Sequence, residues 1–221
     1  MPKRSAKAST KSILFIGNSF TQRNNLPALI ASLAAEAGMT VTHDLISAGG
    51  ASLRAHWNAG HAAKAIASKK YDYVVLQEQS TLPIKNAARM AENIRLFDVA
   101  IQAAGAKTVL YCTWARQHSL GTQNQITTAY SEIGKELGAI VVPVGPAWMR
   151  FLAKHDAPEI YDKDQSHPTL AGSYLAACVF LAALLKTNPV GNPFLPLGVS
   201  NKDAKVLQAI AWKERSATCA V

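Results

Sequence analysis

Short, nearly continuous apolar runs alternate with longer stretches of helical periodicity along this chain. Residues 12–17 read as a strand buried on both faces. Residues 26–38 read as a helix, with Pro27 in its first turn and Gly38 as its stop. Residues 40–46 alternate and read as a second strand, followed by a glycine-bearing loop at 47–51. Further strands are expected at 72–77, 107–112 and 139–143. Helices are expected over 85–104, ended by Gly105, over 122–137 and over 169–185. From residue 187 a stretch rich in Pro and Gly leads to a terminal helix near 202–214. Apolar strands separated by helical segments are what a parallel sheet covered on both faces requires. The pattern therefore predicts an α/β fold, a three-layer α/β/α sandwich built on a five-stranded parallel sheet. In such sheets the reactive groups gather at the carboxyl ends of the strands.

Length and charge add limits to this picture. The 221 residues suit one domain. Residues 1–11 read as a polar, basic tail, 12–186 as the α/β unit, and 187–221 as a loop and helix packed on the same domain. The net charge is +9, from 23 Lys and Arg against 14 Asp and Glu, and Lys3, Arg4, Lys7 and Lys11 crowd the start. The other cations are scattered and form no basic stripe, so no nucleic-acid partner is expected. Cys112, Cys178 and Cys219 include no Cys-x-x-Cys pair, and their odd number argues against a disulfide framework. Cys112 and Cys178 sit in apolar runs and read as small buried hydrophobes. His43, His61, His118 and His155 lack the spacing of metal ligands, so no metal is expected. No signal-peptide pattern is visible, and the longest apolar run, 175–185, is too short to span a bilayer. A soluble protein is expected, either cytoplasmic or exported after loss of a signal.

Two short blocks carry candidate chemistry. Gly17-Asn18-Ser19-Phe20 follows the first strand directly. A nucleophilic serine needs a sharp turn at a strand's carboxyl end, with backbone N–H groups nearby, and Gly17 permits that turn. The same residues suit a helix N-cap equally well. The surrounding residues do not form a Gly-x-Ser-x-Gly elbow. Asp164-Gln165-Ser166-His167 precedes Pro168 and the helix at 169–185. Asp and His three apart on a turn can let the carboxylate hold one imidazole nitrogen while the other faces a nucleophile. His167, placed before a proline, belongs to the turn.

Together, Gly17-Asn18-Ser19 at the front and Asp164-x-x-His167-Pro168 at the back resemble the SGNH, or GDSL-type, hydrolase superfamily. The resemblance spans roughly 12–186 and implies a flavodoxin-like sheet. It implies a triad of Ser19, His167 and Asp164, with no cofactor. It also implies an oxyanion hole made by the backbone of Ser19, a glycine after strand two, and an asparagine after strand three. For the glycine, Gly50 is preferred because Ser52 follows it at the usual place, and Gly49 stays open. The asparagine is missing. Gln79 aligns best with it and offers the same amide on a longer arm, and Gln77 is the alternative. Arg54, His56 and Trp57 after strand two, and Trp114 and Arg116 after strand four, leave carboxyl ends of strands and are expected to wall a substrate pocket. The implied activity is hydrolysis of a small-molecule ester. A short acyl group on a polar alcohol, such as a sugar, is the first choice, because no long apolar lid is present. A non-catalytic carbohydrate-binding module that keeps the fold is the alternative. The family equally covers thioesterases and carbohydrate deacetylases, and oligomeric state is not written in the sequence.

Overall fold

A computed structural model describes residues 10–215. Its strands are β1 (Thr10–Gly17), β2 (Thr40–Ser47), β3 (Tyr73–Leu76), β4 (Lys107–Cys112) and β5 (Ile140–Pro143). All pair in parallel, in the order β2-β1-β3-β4-β5. The expected five-stranded α/β/α sandwich is the observed architecture. In this order the chain winds one way from β1 and the other way from β3. A crevice therefore opens between their carboxyl ends, where doubly wound sheets bind ligands.

The helices are α1 (Ser19–Gln22), α2 (Leu26–Glu36), α3 (Leu53–Ala59), α4 (His61–Ser68), α5 (Leu82–Lys85), α6 (Ala87–Ala103), α7 (Gln123–Leu137), α8 (Val144–Leu152), α9 (Leu170–Ala183) and α10 (Asn201–Glu214). Strand alternation divides the core in two. Ile13, Phe15, Val75 and Tyr111 face a layer made by α2, α8, α9 and α10. Leu14, Ile16, Leu76 and Leu110 face a layer made by α3, α4, α6 and α7. Both faces of β1 are sealed, which explains why its sequence is an unbroken apolar run. Helix α9 is buried almost all round. At Gly172 an added Cβ would stand 2.4 Å from the carbonyl of Ile160 and 2.8 Å from the Trp148 ring. The glycine thus lets α9 close against the loop that precedes it.

Several elements differ from the sequence reading. β1 begins at Thr10, and Lys11 pairs beside Val41 and forms an ion pair with Asp72, so the strand takes residues assigned to the tail. The rest of that tail, with Lys3, Arg4 and Lys7, lies outside the described residues, as does Cys219. The helix expected over 85–104 begins at Ala87, with the Asn86 side chain as its cap, and the short α5 that ends before Asn86 was not expected. Helices α3, α4 and α8 were not foreseen. Ser52 and Gly60 bracket α3 as N-cap and left-handed stop, a readable signal. Cys112 and Cys178 are buried, as expected. Among the described residues no helix is long and apolar enough to cross a membrane. No cluster of three metal-ligating side chains occurs among them either.

Candidate active site

The turn after β1 is built from below. The N–H of Asn18 and the hydroxyl of Thr21 both donate to Oε1 of Gln77, at 2.8 and 3.0 Å. Gln77 follows β3 directly, is fully buried, and gives its Nε2 to the carbonyl of Glu78. Asn18, not Ser19, caps α1, accepting the N–H of Phe20 at 3.1 Å. This leaves the Ser19 hydroxyl free of capping duty. As the first residue of α1, Ser19 presents an N–H with no acceptor inside the helix.

The second block is equally fixed. Oδ1 of Asp164 accepts the N–H groups of Ser166 and His167, at 3.0 and 2.9 Å. Its Oδ2 accepts Nδ1–H of His167. Since an ionised carboxylate can only accept, Nδ1 carries the proton and Nε2 is a free acceptor. Nε2 lies 2.7 Å from Oγ of Ser19. Desolvation pushes the Asp164 carboxyl up, but the His167 N–H, the imidazole and the Ser166 N–H outweigh it and hold the group well below the usual carboxylate range. The loop is anchored outside the triad as well. Trp114 Nε1 donates to the carbonyl of Ser166 at 2.9 Å, and the Gln117 N–H to that of Gln165 at 2.9 Å. Asn24, two residues past the end of α1, donates to Pro168 O and Ser173 Oγ. Arg23 pairs with Asp162. These contacts bring the front and back of the chain together at one point.

Between β2 and α3 the chain makes a turn closed by Ala51 N–H on Ala48 O at 3.1 Å. Gly50 sits in it at φ +67°, a backbone conformation that favours glycine. Asn18 Nδ2 donates to the carbonyl of Ala51 at 3.1 Å and so ties this turn to the serine turn. After β3, Gln79 lends its Oε1 to Thr81 N–H, Thr81 Oγ1 and Leu82 N–H, at 2.9, 3.0 and 3.1 Å. That bonding turns the Nε2 end of the amide away from the backbone of α5, and no acceptor among the described residues takes it. Gln77, in contrast, is committed at both ends.

This arrangement sets a serine hydroxyl against an imidazole at the switch-point crevice, flanked by glycine and glutamine turns. No family model matches the chain, and no curated protein matches it. Solved structures do. A protein from Slackia heliotrinireducens assigned as an SGNH hydrolase is 30% identical, with 80% of this chain and 100% of that chain covered and a TM-score of 0.67. The chain belongs to the SGNH hydrolases. A DUF4886 family protein from Bacteroides uniformis shares its fold at 22% identity and TM-score 0.75, covering 93% of this chain and 95% of that one. So does an acetyl-xylooligosaccharide esterase from Geobacillus, in a mutant form, at 18% identity and TM-score 0.59, covering 79% and 94%.

Within this SGNH fold, the residues expected to wall a pocket have mixed fates. His56 is buried, with Nε2 2.7 Å from the carbonyl of Gly17, and supports the serine turn from behind. Trp114 is buried between Phe20 and Trp148, with ring centroids 4.7 and 3.9 Å away. Both readings as pocket walls are corrected: each side chain turns inward because the α/β/α core needs apolar and hydrogen-bonded filling just under the crevice. Trp57 packs edge-on against Phe97 of α6, and Arg54 Nε bonds Asn93 Oδ1 at 3.0 Å. Arg116 is half-buried beside the Asp164 loop, and its Nε meets no hydrogen-bond partner among the described residues. A cleft of about 450 Å³ borders that loop, with Gln117, His155, Asp162 and Gln165 in its lining and none of these five. Gln77, Glu78, Asn93 and Asn18 were missed as supports. Nothing in their spacing marks them, because the bonds that tie them to other elements run to residues distant in sequence.

Proposed function

We propose that this SGNH hydrolase cleaves a carboxylic ester through Ser19, His167 and Asp164. The observation that carries the reading is the 2.7 Å approach of Ser19 Oγ to His167 Nε2, with Asp164 on the other ring nitrogen. His167 takes the hydroxyl proton as Ser19 Oγ bonds to the ester carbonyl carbon. Asp164 keeps the imidazole in the accepting tautomer and stabilises the imidazolium. The tetrahedral oxyanion is received by the N–H groups of Ser19 and Gly50 and by the Gln79 amide. Collapse expels the alcohol, which takes the proton from His167 and leaves an acyl-Ser19. Water, deprotonated by His167, then releases the acid and restores Ser19. The scheme balances without metal or cofactor.

A short acyl group on a polar alcohol is the proposed substrate, in line with an esterase of acetylated xylooligosaccharides among the structures of similar fold. The test is a fluorophosphonate probe followed by peptide mass spectrometry, alongside p-nitrophenyl acetate hydrolysis by the wild type and Ser19→Ala. The expected results are a label on Ser19 and a fall in kcat of at least about 10³-fold in the variant. A folded wild-type protein that takes no label and hydrolyses no ester overturns the reading in favour of a binding module, and a variant that keeps its activity overturns Ser19 as the nucleophile.

A further inference from the structure

Glu78 stands at the carboxyl end of β3 with its side chain fully buried. A buried carboxylate is costly unless its oxygens are satisfied. Here one oxygen does two jobs. Oε1 accepts the N–H of Leu53 at 3.0 Å and the N–H of Gln79 at 2.7 Å. Leu53 opens α3, three residues after Gly50, and Gln79 opens the turn after β3. Thus the two segments proposed to supply oxyanion donors meet at a single carboxylate atom. Oε2 is held by Nδ2 of Asn93 in α6 at 2.8 Å, and Oδ1 of that residue accepts Nε of Arg54 at 3.0 Å. The Glu78 N–H donates to the Tyr130 hydroxyl of α7 at 3.2 Å. The other titratable group facing the carboxylate is His56 of α3, itself fixed on Gly17 O.

We infer that Glu78 is a positioning residue for the oxyanion site, its Oε1 setting the spacing between the Gly50 turn and the Gln79 amide. The inference rests on the proposed roles of Gly50 and Gln79. Its physical basis is that donors off by a fraction of an ångström in the transition state lose much of their effect, whereas substrate binding depends on them little. Burial dominates and pushes the Glu78 carboxyl up, against the opposing Asn93, Gln79 and Leu53 donors. All three of these groups donate, so both carboxyl oxygens serve them as acceptors.

The hydrogen-bond polarity supplies a specific test. In Glu78→Gln the new NH₂ group faces the NH₂ of Asn93. Flipping Asn93 only moves the conflict to Arg54 Nε. In the double variant E78Q/N93D the glutamine NH₂ donates to the new carboxylate, whose other oxygen accepts Arg54 Nε, so every donor again has an acceptor. On p-nitrophenyl acetate, E78Q is expected to lower kcat by roughly 10- to 100-fold with KM within about threefold. E78Q/N93D is expected to recover kcat to within about fivefold of wild type. Combined with Gln79→Ala, E78Q is expected to cost less than the product of the two single losses, since both act on one donor. Wild-type kcat in E78Q, or full multiplicativity with Gln79→Ala, overturns the inference. If E78Q does not fold, the double variant carries the test: a folded E78Q/N93D with kcat still reduced 10-fold or more overturns it as well. Ser19→Ala is measured in parallel. Activity in that variant sinks the proposed Ser19 mechanism, whereas an inactive S19A beside a fully active E78Q sinks only the role of Glu78.

Discussion

Oε1 of Gln77 accepts the N–H of Asn18 at 2.8 Å, so the residue just before the candidate nucleophile hangs from the strand next to it. The same oxygen takes the Thr21 hydroxyl. One buried amide thereby sets the start and the end of the serine turn. It also explains Gly17: a Cβ there would lie 2.6 Å from Gln77 Oε1 and 2.7 Å from Thr21 Oγ1. Gly17→Ala is expected to push Gln77 off the turn and lower kcat at least about 10-fold, with a fall in Tm. Steady-state kinetics with a melting curve checks both; a variant with native kcat and Tm would mean the turn is not held this tightly.

The two glutamines after β3 should separate cleanly. Gln77→Ala leaves the buried Asn18 N–H without its acceptor, at a cost of about 1–3 kcal/mol in unfolding free energy, and activity falls with the turn. Gln79→Ala is expected to lower kcat by roughly 10²- to 10³-fold, with a smaller change in KM. Its stability change should be small, since what it removes is a half-buried cap of α5. Urea unfolding and kinetics on both variants decide the matter. The reverse pattern would assign the amide donor to Gln77.

Asp164 gives a signed pH prediction. Its carboxyl is depressed in the folded protein, so it stays ionised as pH falls through the ordinary carboxylate range and is lost only below that range. The wild-type profile of kcat/KM should therefore show no step from this group at or above about pH 3.9. Asp164→Asn is expected to lower kcat by roughly 10²- to 10⁴-fold across the profile, because the imidazole loses its orienting acceptor. Its side chain is 44% exposed, and water can replace part of that interaction, which argues for the lower half of the interval. An inflection near the ordinary carboxylate value in wild type, absent in the variant, would contradict the hydrogen-bond pattern around Oδ1.

Trp114 links stability to the site. It lies between Phe20 and Trp148, and the Phe20 ring meets the His167 ring edge-on at 5.5 Å. Trp114→Ala is expected to cost about 3–5 kcal/mol by opening a cavity. Trp114→Phe keeps a stacked ring but loses the bond to Ser166 O, so it should be less destabilising and still impair kcat. Chemical unfolding of the two variants tests the order. Equal stability losses would mean that the buried ring contributes little and that the bond to Ser166 O, lost in both variants, carries the effect.

Much of this protein was legible along the chain because it is local. The unbroken apolar runs of β1 and β3 can only be strands sealed on both faces, and Gly-Asn-Ser and Asp-x-x-His each carry their turn chemistry within four residues. Their pairing was read from a resemblance, and the SGNH membership stands on a solved relative. What only the tertiary structure decided is which polar side chains look outward. Gln77 and Gln79 share a pattern position and both follow β3. Yet the Gln77 N–H still bonds Ile16 O of β1 and its side chain lies beneath the serine turn, while Gln79 stands two residues further on and bonds the start of α5. His56 and Trp114 left the right strand ends but turned into the core, because helix packing, not sequence position, sets the direction of a side chain after a strand. Glu78 gave no signal at all: its partners Leu53 and Asn93 are 25 and 15 residues away, and such distant donors converge only when the sheet and both helices have formed.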